Sequence, residues 1–182
     1  MRPILLAMTL AATLAAASPT AAQPTWWITV GGQATFETGR LGQILGVGGG
    51  GGIAAGWHLL RLGPVLLGPE LEGIAGKVSA DLGTVSDDVR VLRGRAGVRV
   101  TWWEEDEEPL LVPYVRGGLV YRADSGKFIS DEGGGFYVGA GLDFRLSDNW
   151  SVGPFVAYEH VSLSIDADTF MVGLGLTFSW GD

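Results

Sequence analysis

The sequence predicts an all-β fold: an eight-stranded antiparallel up-and-down transmembrane β-barrel. Three observations predict it. Apolar residues alternate with small or polar ones in eight stretches, all seven tryptophans fall toward one rim of the up-and-down order, and an apolar leader precedes the first strand. The alternation is clearest in the last stretch. There Phe170, Val172, Leu174, Leu176, Phe178 and Trp180 share one face, while Thr169, Met171, Gly173, Gly175, Thr177 and Ser179 share the other.

The leader comes first. Met1 and Arg2 precede an apolar run from Ile4 to Ala17, and Ser18-Pro19-Thr20-Ala21-Ala22 supplies the small residues a signal peptidase accepts. The expected organisation is therefore a signal peptide over residues 1–22 and one barrel domain over 23–182. The leader is shorter than the ~20 residues a helix needs to cross a bilayer. The chain has no cysteine, which excludes disulfides, a lipid-anchored N-terminal cysteine and thiolate metal sites or nucleophiles. Its formal net charge is −8, and without Arg2 about −9, which argues against a nucleic-acid partner. Only Lys77 and Lys127 are lysines, whereas soluble domains usually expose many.

The strands are expected in the following order. The first runs from Thr25 to Glu37, the second from Ile44 to Leu60, the third from Val65 to Val78 and the fourth from Val89 to Trp103. The fifth runs from Leu110 to Arg122, the sixth from Gly135 to Leu146, the seventh from Trp150 to Ser162 and the eighth from Thr169 to Trp180. Each exceeds the ~9–11 residues that cross a membrane when tilted. Short turns follow the second, fourth and sixth strands, as at Ser147-Asp148-Asn149. Longer loops are expected at Ser79 to Asp88 and Ala123 to Gly134. Short turns on one rim and longer loops on the other is the pattern of outer-membrane barrels, with the short side periplasmic.

The tryptophans fit that orientation. Trp26, Trp27 and Trp150 open odd strands, and Trp57, Trp102, Trp103 and Trp180 lie near the ends of even ones, which is the same rim. Indole is apolar with one polar N–H, so the set reads as a periplasmic aromatic girdle. Phe36 and Tyr121 belong to the outer rim.

The polar face decides which side is inside. It carries Arg93, Arg95 and Arg99 on the fourth strand, Glu70 and Glu72 on the third, Arg116 on the fifth, Asp143 and Arg145 on the sixth and Glu159 on the seventh. Five arginines and four carboxylates are nearly balanced, which suits a narrow lumen, since a buried charge must be paired. A hairpin centred between Ser79 and Asp88 sets Glu70 and Glu72 beside Arg93 or Arg95. The interior of eight strands can be filled by side chains, so no open pore is expected. The competing architecture is a soluble periplasmic ligand-binding barrel of the lipocalin type, with these charges turned to water.

With these residues in view, the chain resembles the small outer-membrane β-barrel family, of the OmpA membrane-domain and OmpX type. The resemblance implies location in the cell outer membrane of a Gram-negative envelope. It also implies a porin-like wall in contact with outer-membrane lipid and lipopolysaccharide. The terminal strand, Thr169 to Trp180, is similar to the one by which the barrel assembly machinery recognises such proteins. The expected role is structural or loop-mediated interaction with an extracellular partner, without enzymatic activity or cofactor. A chain ending at Asp182 is expected to lack a peptidoglycan-binding domain.

Three further motifs call for chemistry. Gly46-Val47-Gly48-Gly49-Gly50-Gly51 fits Gly-x-Gly-x-x-Gly, but a nucleotide site needs a helix start within a βαβ unit, so the run reads as space for arginine heads, with a bulge. His160 and Ser162 share the lipid face near the outer end of the seventh strand. That pair is similar to the lipid A deacylase family, in which serine is the nucleophile and histidine the base. The orienting acid is expected from the loop, as Asp166 or Asp168. Acids gather on the outer side at Asp81, Asp87, Asp88, Asp124, Asp131, Glu132, Asp166 and Asp168; oxygen-only clusters suit divalent cations, but no EF-hand spacing is present and no metal is expected.

Overall fold

Alternation becomes a closed wall in the computed structural model, which describes residues 20–21, 26–38, 42, 45–81, 86–103, 110–127 and 130–181. The strands are β1 Trp26–Thr38, β2 Leu45–Trp57, β3 Val65–Asp81, β4 Ser86–Trp102, β5 Leu111–Ser125, β6 Ser130–Arg145, β7 Trp150–Ser162 and β8 Ala167–Trp180. Each pairs antiparallel with its neighbours in the chain. β8 then pairs with β1 from Trp180↔Trp26 to Asp168↔Thr38, so the eight-stranded ring has no free edge. A short strand, Leu60–Leu62, lies along the start of β3, and Thr20–Ala21 pairs with it. The rest of the expected leader, the turn at 104–109 and the side chains of Asp81 and Asp87 lie outside the described residues.

Much of the longer outer loops expected from the sequence is instead strand. β3 runs on to Asp81 and β4 starts at Ser86; β5 runs on to Ser125 and β6 starts at Ser130. The reason is inside the barrel. Val78, Ala80, Val89, Val91 and Val120 point inward and pack with Leu45, Tyr137, Val161 and Ala167 into an apolar plug at the outer end of the lumen. Burying these side chains keeps the hairpins paired through the Asp, Ser and Gly residues that locally favour turns.

The glycine run forms most of β2, despite glycine's low strand propensity. A register shift between Leu45 and Gly48 marks the expected bulge. Below it the backbones sit too close for side chains: a Cβ on Gly50 would lie 2.6 Å from the Ala75 carbonyl oxygen and 2.8 Å from Gly76 Cα.

The outward face of every strand is uncharged from the tryptophan rim to near the outer end, with Leu71, Leu119 and Leu174 each more than 60% exposed. On β3 the band from Val65 to Lys77 spans about 30 Å of height for a tilted strand, close to the apolar band of a membrane barrel. Arginines and carboxylates fill the inside. That polarity is the inverse of a soluble lipocalin-type barrel.

Candidate functional site

Inward parity gathers the charges into one connected chain. At its outer end Arg122 meets Asp124 through two parallel contacts of 2.8 Å, Nε to Oδ1 and Nη2 to Oδ2. Arg122 Nη1 also donates to Glu37 Oε2 at 3.1 Å and to the Thr169 hydroxyl at 3.0 Å, and that hydroxyl donates to Glu37 at 2.8 Å. Glu37 accepts from Arg93 at 3.4 Å, and Arg93 Nε donates to Glu159 at 3.0 Å. Glu159 accepts from Arg95 at 2.8 Å, and Arg95 donates onward to Glu72, also at 2.8 Å. Arg116 closes the series on Glu72 at 3.3 Å and Glu70 at 3.0 Å. Arg99 and Asp143 form a separate pair toward the tryptophan rim.

Glu37, Glu159 and Glu72 each lie between two guanidiniums, which offsets the desolvation of charges buried in the lumen. Aromatic faces carry part of the load. The Arg99 guanidinium sits 3.7 Å over Tyr114 and 4.6 Å over Trp27, Arg95 lies 5.0 Å over Tyr137, and Arg116 lies 5.1 Å over Phe155. Ions crossing the lumen would meet this network and, beyond it, the apolar plug.

The pairing differs in detail from the sequence expectation. Glu72 does meet Arg95 directly across the β3–β4 hairpin, but Glu70 faces Gly97 and reaches Arg116 instead. Arg93 turns to Glu159 and Glu37. Arg145 stands apart at the tryptophan rim, 4.9 Å over Trp103 and 3.8 Å from exposed Asp148. Glu37, Arg122 and Asp124 were not among the expected lumen charges. Continued parity was the signal: Arg122 and Asp124 extend the series Arg116, Gly118, Val120, but ending the strand at Arg122 assigned Asp124 to a loop.

At the tryptophan rim Trp26 and Trp57 pack with ring centroids 5.0 Å apart, Trp150 and Phe178 lie 4.9 Å apart, and Phe178 stacks on Trp180 at 5.6 Å. Trp102 is exposed on the same rim. Trp27 corrects the expected girdle: it is 3% exposed and points into the lumen, because in a strand two successive tryptophans cannot share a face. Trp103 lies inward too, beneath Arg145. His58, unremarked in the sequence, is buried at the mouth on the tryptophan rim with Nε2 3.4 Å from the Thr101 hydroxyl. Burial, and then the Arg99 charge, lower its pKa from 6.5 to about 4.

Near the outer end of the wall His160 Nδ1 lies 2.9 Å from Asp168 Oδ1, and the Tyr158 hydroxyl donates to the same oxygen. Asp168 is not in a loop. β8 begins at Ala167, which is drawn into the apolar plug, and this places Asp168 directly opposite His160. Ser162 is exposed on the His160 face, and Phe136 packs 5.5 Å from the imidazole. The outer acids are engaged individually: Asp131 accepts the Ser164 N–H at 2.8 Å, and Glu132 accepts the Tyr121 hydroxyl at 2.6 Å. Among the described residues no group of three or more acids or histidines could hold a metal ion.

Comparison with known proteins agrees with this geometry. The family described as "Outer membrane protein beta-barrel domain" matches residues 4–178. No curated protein matches the sequence. Among solved structures, Neisserial surface protein A is similar at a TM-score of 0.58 and 11% identity, over 85% of this chain and 97% of its own. OprG of Pseudomonas aeruginosa follows at 0.57 and 12%, over 87% and 97%. Ail, the attachment invasion locus protein of Yersinia pestis, solved with the heparin analogue sucrose octasulfate, has 0.54 and 14%, over 86% and 100%. At such identities the likeness is one of fold. The sequence match and the inward-charged, outward-apolar wall lead to one conclusion: this chain belongs to the outer membrane protein beta-barrel domain family.

Proposed function

We propose that the protein is a non-enzymatic barrel of the cell outer membrane, exported by its leader, with a structural role or a role in binding an extracellular partner through its outer loops. The observation that carries this reading is the unbroken alternation of charge from Asp124 to Glu70, capped by the apolar plug, which favours a closed lumen over a conduit. Its partners are outer-leaflet lipid and lipopolysaccharide around the wall and, during assembly, the machinery that reads Thr169 to Trp180. In cells expressing the full-length chain, the protein should fractionate with the outer membrane and migrate differently in gels before and after heating. Planar bilayers containing it should show no stepwise conductance. Recovery without detergent, or steps of pore size, would sink the reading.

A second reading, an outer-leaflet lipid A hydrolase, is favoured by the His160–Asp168 hydrogen bond. That bond supplies the orienting acid a serine–histidine pair needs, on the lipid-facing wall. Release of fatty acid from lipid A by folded protein, abolished in Ser162→Ala, would establish it. No release from wild type removes it.

A further inference from the structure

Besides the acids on β6 and β8, the outward face near the outer end carries a basic quadrant. Lys77 on β3 and Arg90 on β4 are exposed and directly opposite each other in the ladder. Like charges so placed repel, which disfavours the pair unless an anion lies between them. Asp88 Oδ2 is 3.8 Å from Lys77 Nζ, with both side chains about two-thirds exposed (63% and 66%), and one carboxylate at that range offsets at most one of the two cations. Arg90 also pairs with Ser125, and Lys127 follows two residues on, so both lysines of the chain fall in this quadrant. Lys77 and Arg90 are the first charges above the apolar band on their strands, the level at which lipid phosphates lie.

The wall beneath them is thin. Gly49, Gly51, Gly73, Ala75 and Gly94 face outward on adjoining strands, and a Cβ on Gly73 or Gly94 would meet nothing within 4 Å. An acyl chain hanging from a headgroup held by the two cations has room there to lie against the sheet.

We propose that Lys77 and Arg90 bind the phosphate of a phosphorylated outer-leaflet lipid whose acyl chain descends over this hollow. The proposal rests on the membrane reading above. The test uses the full-length protein inserted in phosphatidylcholine nanodiscs containing bisphosphorylated lipid A, with native mass spectrometry counting the lipid retained after release. Each cation contributes roughly fivefold, so K77Q/R90Q should retain lipid A on the order of twentyfold less than wild type. Dephosphorylated lipid A should fall to the variant's level, and millimolar inorganic phosphate should not displace the lipid. Equal retention by wild type and K77Q/R90Q overturns the site, and displacement by inorganic phosphate overturns the lipid as its occupant. Should the double variant lose its heat-dependent gel shift, R90Q alone is compared, with about a fivefold loss expected and equal retention overturning the site. A wild type that folds without inserting overturns the membrane reading along with the site, whereas insertion with equal retention overturns the site alone.

Discussion

Arg95 sits among Glu159, Glu72, the Met171 thioether and the Tyr137 ring, and its guanidinium is completely buried. Removing it leaves Glu159 to Arg93 alone and Glu72 to Arg116 alone, and breaking buried pairs in this way typically costs about 3–5 kcal/mol. Arg95→Met should lower the urea unfolding midpoint in detergent accordingly, and adding Glu72→Gln should recover part of the loss; an unchanged midpoint would refute the pairing. His58 yields a pH prediction. Its folded pKa, about 4, lies below the ordinary 6.5, so between those values the unfolded chain holds the extra proton. Stability is therefore full above pH 6.5 and declines as pH falls toward 4, by up to roughly 3 kcal/mol. The wild type should lose more stability than His58→Asn between pH 7 and pH 4.5, and identical losses would contradict a buried neutral imidazole. Parity revealed Arg93, Arg95, Arg99, Arg116 and Glu159 in the sequence. The bond between Glu70 and Arg116 was not legible, because a side chain's partner across a lumen depends on strand tilt and register rather than on spacing along one strand.

At the scale of the strand, the glycines of β2 and β3 separate two roles that sequence alone merges. A Cβ on Gly50 meets backbone that cannot swing aside, whereas one on Gly73 meets open space on the outer wall. Gly50→Ala should cost about 1–3 kcal/mol, as overpacking does, while Gly73→Ala should be neutral or stabilising by about 0.5 kcal/mol through the unfolded chain. Thermal loss of the compact gel band would rank the two, and equal midpoints would contradict the close approach of β2 and β3. The existence and order of the eight strands were legible because each repeats the two-residue period over a long run. Their outer ends were not. Asp, Ser and Gly at 79–88 and 123–134 have the composition of loops, yet Val78, Ala80, Val89 and Val91 are held in strand by Leu45, Val161 and Ala167, residues distant in sequence. The same plug draws Ala167 into β8 and sets Asp168 against His160.

For the whole molecule, closure of β8 on β1 turns two faces of a sheet into an inside and an outside, and the charges choose between them. An outer belt of Leu, Val, Phe and Trp around an ionic centre is stable only where the surroundings are apolar, so the folded protein should require detergent or lipid to remain dispersed. Sedimentation with and without detergent checks this; a monodisperse, detergent-free barrel would contradict the assigned polarity. The sequence by itself determined the fold class, the number of strands, the tryptophan rim and the family, because these rest on a local period repeated eight times. Only the tertiary structure decided that Trp27 belongs to the lumen, that Glu37, Arg122 and Asp124 join its charge network, and that Lys77 and Arg90 stand face to face on the outer wall. The physical reason is that each of these depends on register between strands, which closure of the ring imposes and no single strand encodes.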